Sequence, residues 1–261
     1  GRGRWAALAA AILSLAGCIA LAWLRPAWMT VRMSPYKSLR YALQSAGAEL
    51  ADRRWNAYSR VDVVASDSIH SYPGLSLRYQ GPLPPQRGLT VDGDNLTPIS
   101  RRTSAEDAAF LAYMPSSIPY ELRPQARALI LQPGGGLDVA VALEMGARRV
   151  SVVEPNPLVL RAVRELYDDY SGGLYRDPRV EVRVEDARSA LQRGSERYDV
   201  VQFSLSESYH PLTSGAYSLS ENYVYTVEAM RQALGRLEGD GLLVVTRWLQ
   251  DSASESLRAA S

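Results

Sequence analysis

Between residues 128 and 246 the chain alternates short apolar runs with longer amphipathic ones, and no other feature constrains its fold as tightly. The runs 128–131, 150–153, 180–184, 198–203 and 242–246 have the length and aliphatic content of buried strands. Helical patterns at 139–145, 158–166 and 223–237 separate them, the last with Ser220 as cap candidate and the turn Gly239-Asp240-Gly241 behind it. Strand–helix alternation closes into a parallel sheet with helices on both faces. The right-handed crossover then predicts an α/β, Rossmann-like doubly wound sheet. Folds of this class often carry strands beyond the fifth, so the sheet is expected to be truncated.

Upstream, residues 50–99 read as a small β-meander. Residues 56–64 and 75–79 alternate roughly as strands do, 81–85 (Gly-Pro-Leu-Pro-Pro) form a break, and 89–91 run into the turn Asp92-Gly93. Residues 104–113 are predicted helical, with Ser104 as N-cap. Residues 5–24 carry no charge and are long enough to cross a bilayer about 30 Å thick. Trp5, Trp23 and Trp28 sit near the ends of that run, where an aromatic belt would place them. A cleaved signal peptide would have a shorter apolar core and a small-residue cleavage site. This run is long and leads into Leu24-Arg25-Pro26, so a transmembrane helix is the expectation. The chain opens with Gly and reads as a piece of a longer protein. The predicted organisation is a transmembrane helix and flank at 1–28, a β-domain with a connecting helix at 29–120, and the nucleoside-binding domain at 121–261.

Composition removes several function classes. The net charge of +1 supplies no field for nucleic acid. One cysteine, Cys18, excludes an intrachain disulfide framework, and two histidines far apart, His70 and His210, show no ligand spacing, so no metal is expected.

Four places carry chemistry. The first is the loop Gly134-Gly135-Gly136 with Asp138, directly after the first strand, where glycines let a ligand approach and leave helix-start N–H groups to meet it. The second is Glu154 at the end of strand two, about 20 residues on, where an acid accepts from ribose hydroxyls. The third is Glu185-Asp186-Ala187 after strand three; Asp186 suits an adenine amino group or a helix cap equally. The fourth is the segment after strand four, with Ser204, Glu207, Tyr209, His210 and Tyr217, expected to form a substrate pocket in which Tyr209 and Tyr217 bind.

Taken in order, the glycine loop, VVEPN with Glu154, VEDAR with Asp186, YDVVQF at 198–203 and SENYVYT at 220–226 resemble the polyamine aminopropyltransferases, the spermidine synthases. SPYKSLRY at 34–41 and LTVDGDNL at 89–96 are similar to the N-terminal β-domain of that family, and the apolar segment suggests its membrane-fused bacterial type. The resemblance implies transfer of an aminopropyl group from decarboxylated S-adenosylmethionine to putrescine or a related amine, without a metal. It places Gly134, Gly135, Gly136 and Asp138 at the methionine-like end, Glu154 on the ribose, and Asp186 and Ala187 at the adenine. The implied partners are a small polyamine and the lipid bilayer through residues 5–24, with no nucleic acid; a homodimer is compatible. The implied location is the inner or plasma membrane, with the transferase-type domain cytoplasmic.

The sequence departs from the family where the amine is handled. The aspartate expected directly after strand four is Ser204, and Glu207 stands in place of the second, so Glu207 is the expected proton acceptor with Ser204 beside it. Aligned on the glycines, Leu137 intervenes before Asp138. Two other readings share the same motifs: an S-adenosylmethionine-dependent methyltransferase, and a non-catalytic nucleoside-binding domain attached to a membrane module.

Overall fold

A computed structural model describes residues 2–24, 33–205 and 224–248. The chain divides into two compact units, Gly1–Pro35 and Tyr36–Ser261. The first holds helix α1 (Arg2–Leu24), in which Gly3–Leu21 is apolar and none of that span is buried. At 1.5 Å per residue the helix is long enough to cross a bilayer.

The second unit begins with α2 (Ser38–Gln44), a helix for which the sequence reading made no prediction, and continues into four antiparallel strands in the order β1 (Glu49–Trp55), β2 (Arg60–Ala65), β3 (Gln86–Val91) and β4 (Asp94–Ser100). The predicted meander is present, but its boundaries differ. Residues 56–59 are the turn between β1 and β2 and not part of a strand, because Asn56 Oδ1 accepts from the backbone N–H of both Tyr58 (3.1 Å) and Ser59 (2.7 Å). Residues 75–79 form turns and no strand. Asp92 and Gly93 turn the β3–β4 hairpin at positive φ (52° and 74°), as the Asp-Gly pair predicts. Ser104 caps α3 (Ala105–Ala108), which tightens into a 3₁₀ turn over Ala109–Tyr113, and α4 (Ile118–Leu122) follows.

Then comes the parallel sheet, ordered β7-β6-β5-β8-β9: β5 (Arg127–Leu131), β6 (Arg149–Glu154), β7 (Val180–Val184), β8 (Tyr198–Phe203) and β9 (Leu237–Val245). The chain winds outward from β5 to β7, returns to β8 on the other side, and so reverses direction between β5 and β8. Its helices are α5 (Leu137–Glu144), α6 (Pro157–Arg161), α7 (Ala187–Arg193) and α8 (Val227–Gly235). Strand β5 shows why both faces are covered. Ala128 and Ile130 point into a cluster with residues of α5 and α6, whereas Leu129 and Leu131 point into one with residues of α7 and α8. The first cluster also takes in Val61, Val63, Leu89 and Ile99, so the meander and the parallel sheet share one core.

Two predicted boundaries shift near the end. The last helix is shorter than 223–237: Thr226 caps it, its side chain accepting from Ala229 N at 3.2 Å, while Ser220 lies outside the described residues. Gly239-Asp240-Gly241 sits inside β9, not before it. The pairing jumps from Tyr198↔Leu237 to Val200↔Leu242, so the intervening residues bulge out of the ladder.

Candidate functional site

The register lines up the ends of the strands. Leu131 pairs with Val153 and with Phe203, Phe203 with Val245, and Glu154 with Val184. The residues that follow, Gln132, Ser204 and Thr246, therefore emerge on one edge with Glu154, next to the β5/β8 reversal where open α/β sheets bind ligands. Of the residues expected there, Glu207, Tyr209 and Tyr217 lie outside the described residues, as does His210.

The glycine loop crosses this edge against strand β4. A Cβ on Gly135 would stand 2.2 Å from Pro98 O, one on Gly134 2.7 Å from Thr97 Oγ1, and one on Gly136 2.5 Å from a Leu174 methyl. Gly134 and Gly136 also have positive φ, 54° and 90°. The N–H groups of the three glycines themselves are used within the fold. Gly135 N donates to Thr97 Oγ1 (3.0 Å), Gly136 N to Pro133 O (2.9 Å), and Gly134 N to the Glu154 carboxylate. The glycines are required by the closeness of β4 and of Leu174, a contact between segments far apart in the sequence.

Glu154 ends β6 and is buried. Its Oε1 accepts from Asn156 N at 3.0 Å, so with the Gly134 bond it ties the strand end to the glycine loop. Burial raises its pKa to about 7, against the pull of those two backbone donors. A carboxylate has about four acceptor positions, so two remain for hydroxyl donors. The meander closes this end of the edge. Asn56 Nδ2 donates to Asn156 Oδ1 (3.1 Å), Asn156 Nδ2 to Ser59 Oγ (2.9 Å), and Tyr58 OH to Pro155 O (3.1 Å). Asp186 caps α7, its Oδ1 accepting from Ser189 N at 2.9 Å, and Ala187 behind it is buried.

On the other side of the loop Asp138, in the first turn of α5, lines a cleft with Ser204 and Ser116. Burial pushes its carboxyl up, opposed by the polar side chains of Ser204, Ser116 and Gln202 around it. Gln202 is oriented by Tyr120, whose hydroxyl donates to its Oε1 at 3.1 Å. Gln202 Nε2 and Ser204 Oγ are both buried beside that carboxylate. The remaining wall comes from β4 (Asn95 to Pro98), from Ser71 and Pro73, and from Met114 and Pro115. Sequence reasoning missed Ser116, Tyr120 and Gln202. Gln202, polar inside an otherwise apolar strand run, was the available signal.

No family model matches the chain. Among curated proteins it is 26% identical over 148 residues to polyamine aminopropyltransferase 1 of Pseudomonas aeruginosa, covering 56% of this chain and 48% of that protein. It is 33% identical over 124 residues to a polyamine aminopropyltransferase of a Synechococcus species, covering 46% of this chain and 36% of that protein. The chain thus spans about half or less of the relatives it matches. The spermidine synthase structure from Thermotoga maritima superposes with a TM-score of 0.48 at 18% identity, over 74% of this chain and 54% of that one. A second spermidine synthase, in complex with the transition state analogue AdoDATO, gives 0.48 at 19%, over 74% and 55%.

Proposed function

We propose that the Tyr36–Ser261 unit is a spermidine synthase-like aminopropyltransferase that takes decarboxylated S-adenosylmethionine as donor. The observation that carries the reading is Asp138, a carboxylate set among Ser116, Gln202 and Ser204 and lining a cleft between the glycine loop and the end of β8. The sequence similarity to aminopropyltransferases points the same way. In this reading Glu154, held at the loop, receives the ribose hydroxyls. Asp186 and Ala187 lie at the adenine end, and Asp138 faces the aminopropyl end. The acceptor amine attacks the carbon beside the sulfonium, the C–S bond breaks with its electron pair leaving on sulfur as methylthioadenosine, and an ionised carboxylate takes the amine proton. Ser204 is not that base, since its hydroxyl is a very weak proton acceptor near neutrality. The candidates are Asp138 and Glu207.

The rival S-adenosylmethionine methyltransferase reading has less support in this cleft. The intact cofactor adds a carboxylate, and among the described residues the lining holds Asp138 but no lysine or arginine to receive it. The uncharged run 5–24 within α1 supports a membrane tether for the unit.

The test is incubation of the full chain with each cofactor and a primary amine. Amine-dependent methylthioadenosine, lost in Asp138→Asn or Glu207→Gln, supports the reading. S-adenosylhomocysteine would replace it with methyl transfer. Cofactor binding without either product would leave a nucleoside-binding module.

A further inference from the structure

A chain of polar side chains runs inward from Asp138, and the inference drawn from it rests on the aminopropyl-transfer reading above. Gln202 lies on β8, next to the central strand β5, and is fully buried. Tyr120 on α4 is buried as well, and its hydroxyl donates to Gln202 Oε1 at 3.1 Å. With that oxygen engaged, the end of the amide that stands beside the Asp138 carboxyl is Nε2. The two ends of an amide have opposite polarity, so only this orientation suits an ionised carboxylate. Turned over, the amide would set its oxygen against the carboxylate oxygens in a buried site, where the repulsion is little screened. Burial, and then the Asp138 charge, push the Tyr120 phenol up, so its proton stays available to Gln202. Without the hydroxyl, Gln202 Oε1 would be buried and unpaired. The carboxyl could relieve it by taking a proton and donating to the turned amide, and a neutral carboxyl no longer balances an ammonium.

We propose that Tyr120 is a positioning residue for the donor: through Gln202 it keeps Asp138 presented to the cleft as an anion, the form that pairs with the ammonium of the aminopropyl group. Tyr120 acts at one remove, from behind Gln202, so its contribution belongs to the aminopropyl arm and not to the nucleoside.

The experiment compares two ligands that share the methylthioadenosine part and differ in the aminopropyl arm: decarboxylated S-adenosylmethionine and methylthioadenosine itself. Calorimetry on the full chain near neutral pH gives both dissociation constants, with folding verified by circular dichroism. In Tyr120→Phe the donor is expected to bind about tenfold more weakly, as for one hydrogen bond to a charged group, while methylthioadenosine changes by less than about twofold. Gln202→Met keeps the length of the side chain and removes Nε2. It is expected to show the same split, and it decides the matter if Tyr120→Phe fails to fold. In an Asp138→Asn background, Tyr120→Phe should cost the donor nothing further. Equal weakening of both ligands would make Tyr120 merely structural and overturn the inference, and so would no weakening of either. A loss of donor affinity that persists in full beside Asp138→Asn would overturn it too, because the effect would not pass through that carboxylate. A folded wild-type chain that fails to bind the donor would instead remove the aminopropyl-transfer reading itself.

Discussion

Adding one methyl group at Gly135 separates two explanations of the glycine loop. If the glycines serve only a ligand's approach, Gly135→Ala costs binding and little stability. The structure gives a different expectation. The new Cβ would lie 2.2 Å from Pro98 O, 2.5 Å from Pro98 C and 3.0 Å from Ile99 N, all backbone atoms of β4, the strand at the edge of the meander sheet. Ordinary contact near 3.5 Å requires the loop to retreat by roughly 1 Å. That movement breaks the Gly135 N–Thr97 Oγ1 bond of 3.0 Å, worth about 1 kcal/mol. Overpacking adds about 1–3 kcal/mol. The sum is a loss of about 2–4 kcal/mol without any ligand present. Urea unfolding of the full chain measures it, as a midpoint lowered by about 1 M with an unchanged slope. Gly235→Ala is the internal control. Its Cβ meets nothing within 4 Å at the end of α8, so the change is expected to be neutral or stabilising by up to about 1 kcal/mol. Equal stabilities for Gly135→Ala and Gly235→Ala would refute the argument that β4 dictates the loop.

Two further outcomes follow from the same site. Glu154, at an ordinary carboxyl pKa of 4.5 unfolded and about 7 folded, binds its proton more tightly in the native state, so its contribution to stability is present below pH 4.5 and is lost as pH rises to about 7. Glu154→Gln should flatten that part of the stability-against-pH curve, by up to about 3 kcal/mol between pH 4.5 and 7, and an unaltered slope would show that Glu154 is not the group titrating. Asn56→Ala removes the acceptor of the β1–β2 turn and the donor to Asn156 together. It should cost about 2 kcal/mol, read as a fall of about 4–8 °C in Tm, and an unchanged Tm would remove the polar clamp from the account of how the meander is held to β6.

Local pattern alone determined a good deal of this protein. Five buried runs with helical spacing between them imply a parallel sheet, because period and length are properties of contiguous residues and the crossover has one favoured hand. The Asp92-Gly93 hairpin and the Ser104 cap were legible for the same reason: each is satisfied within a few residues of itself. The Asp186 cap was legible too, since its partner Ser189 N lies three residues on. Tertiary structure decided what depends on segments meeting across the fold. The glycines after β5 read as room for a ligand, yet Pro98 and Leu174, 37 residues from Gly135 and 38 from Gly136 in the sequence, are what leave no space for a side chain. Residues 56–64 alternate like one strand, but an asparagine oxygen folding back on two N–H groups outweighs alternation and turns the chain. Asp138 read as part of the loop beside it. Only the arrival of Ser116, Tyr120 and Gln202 from α4, its preceding turn and β8 makes it the half-buried carboxylate of a cleft. Periodicity records which face of an element is apolar, whereas which neighbour comes within 3 Å is fixed by packing, and that is where the chemistry of this site was set.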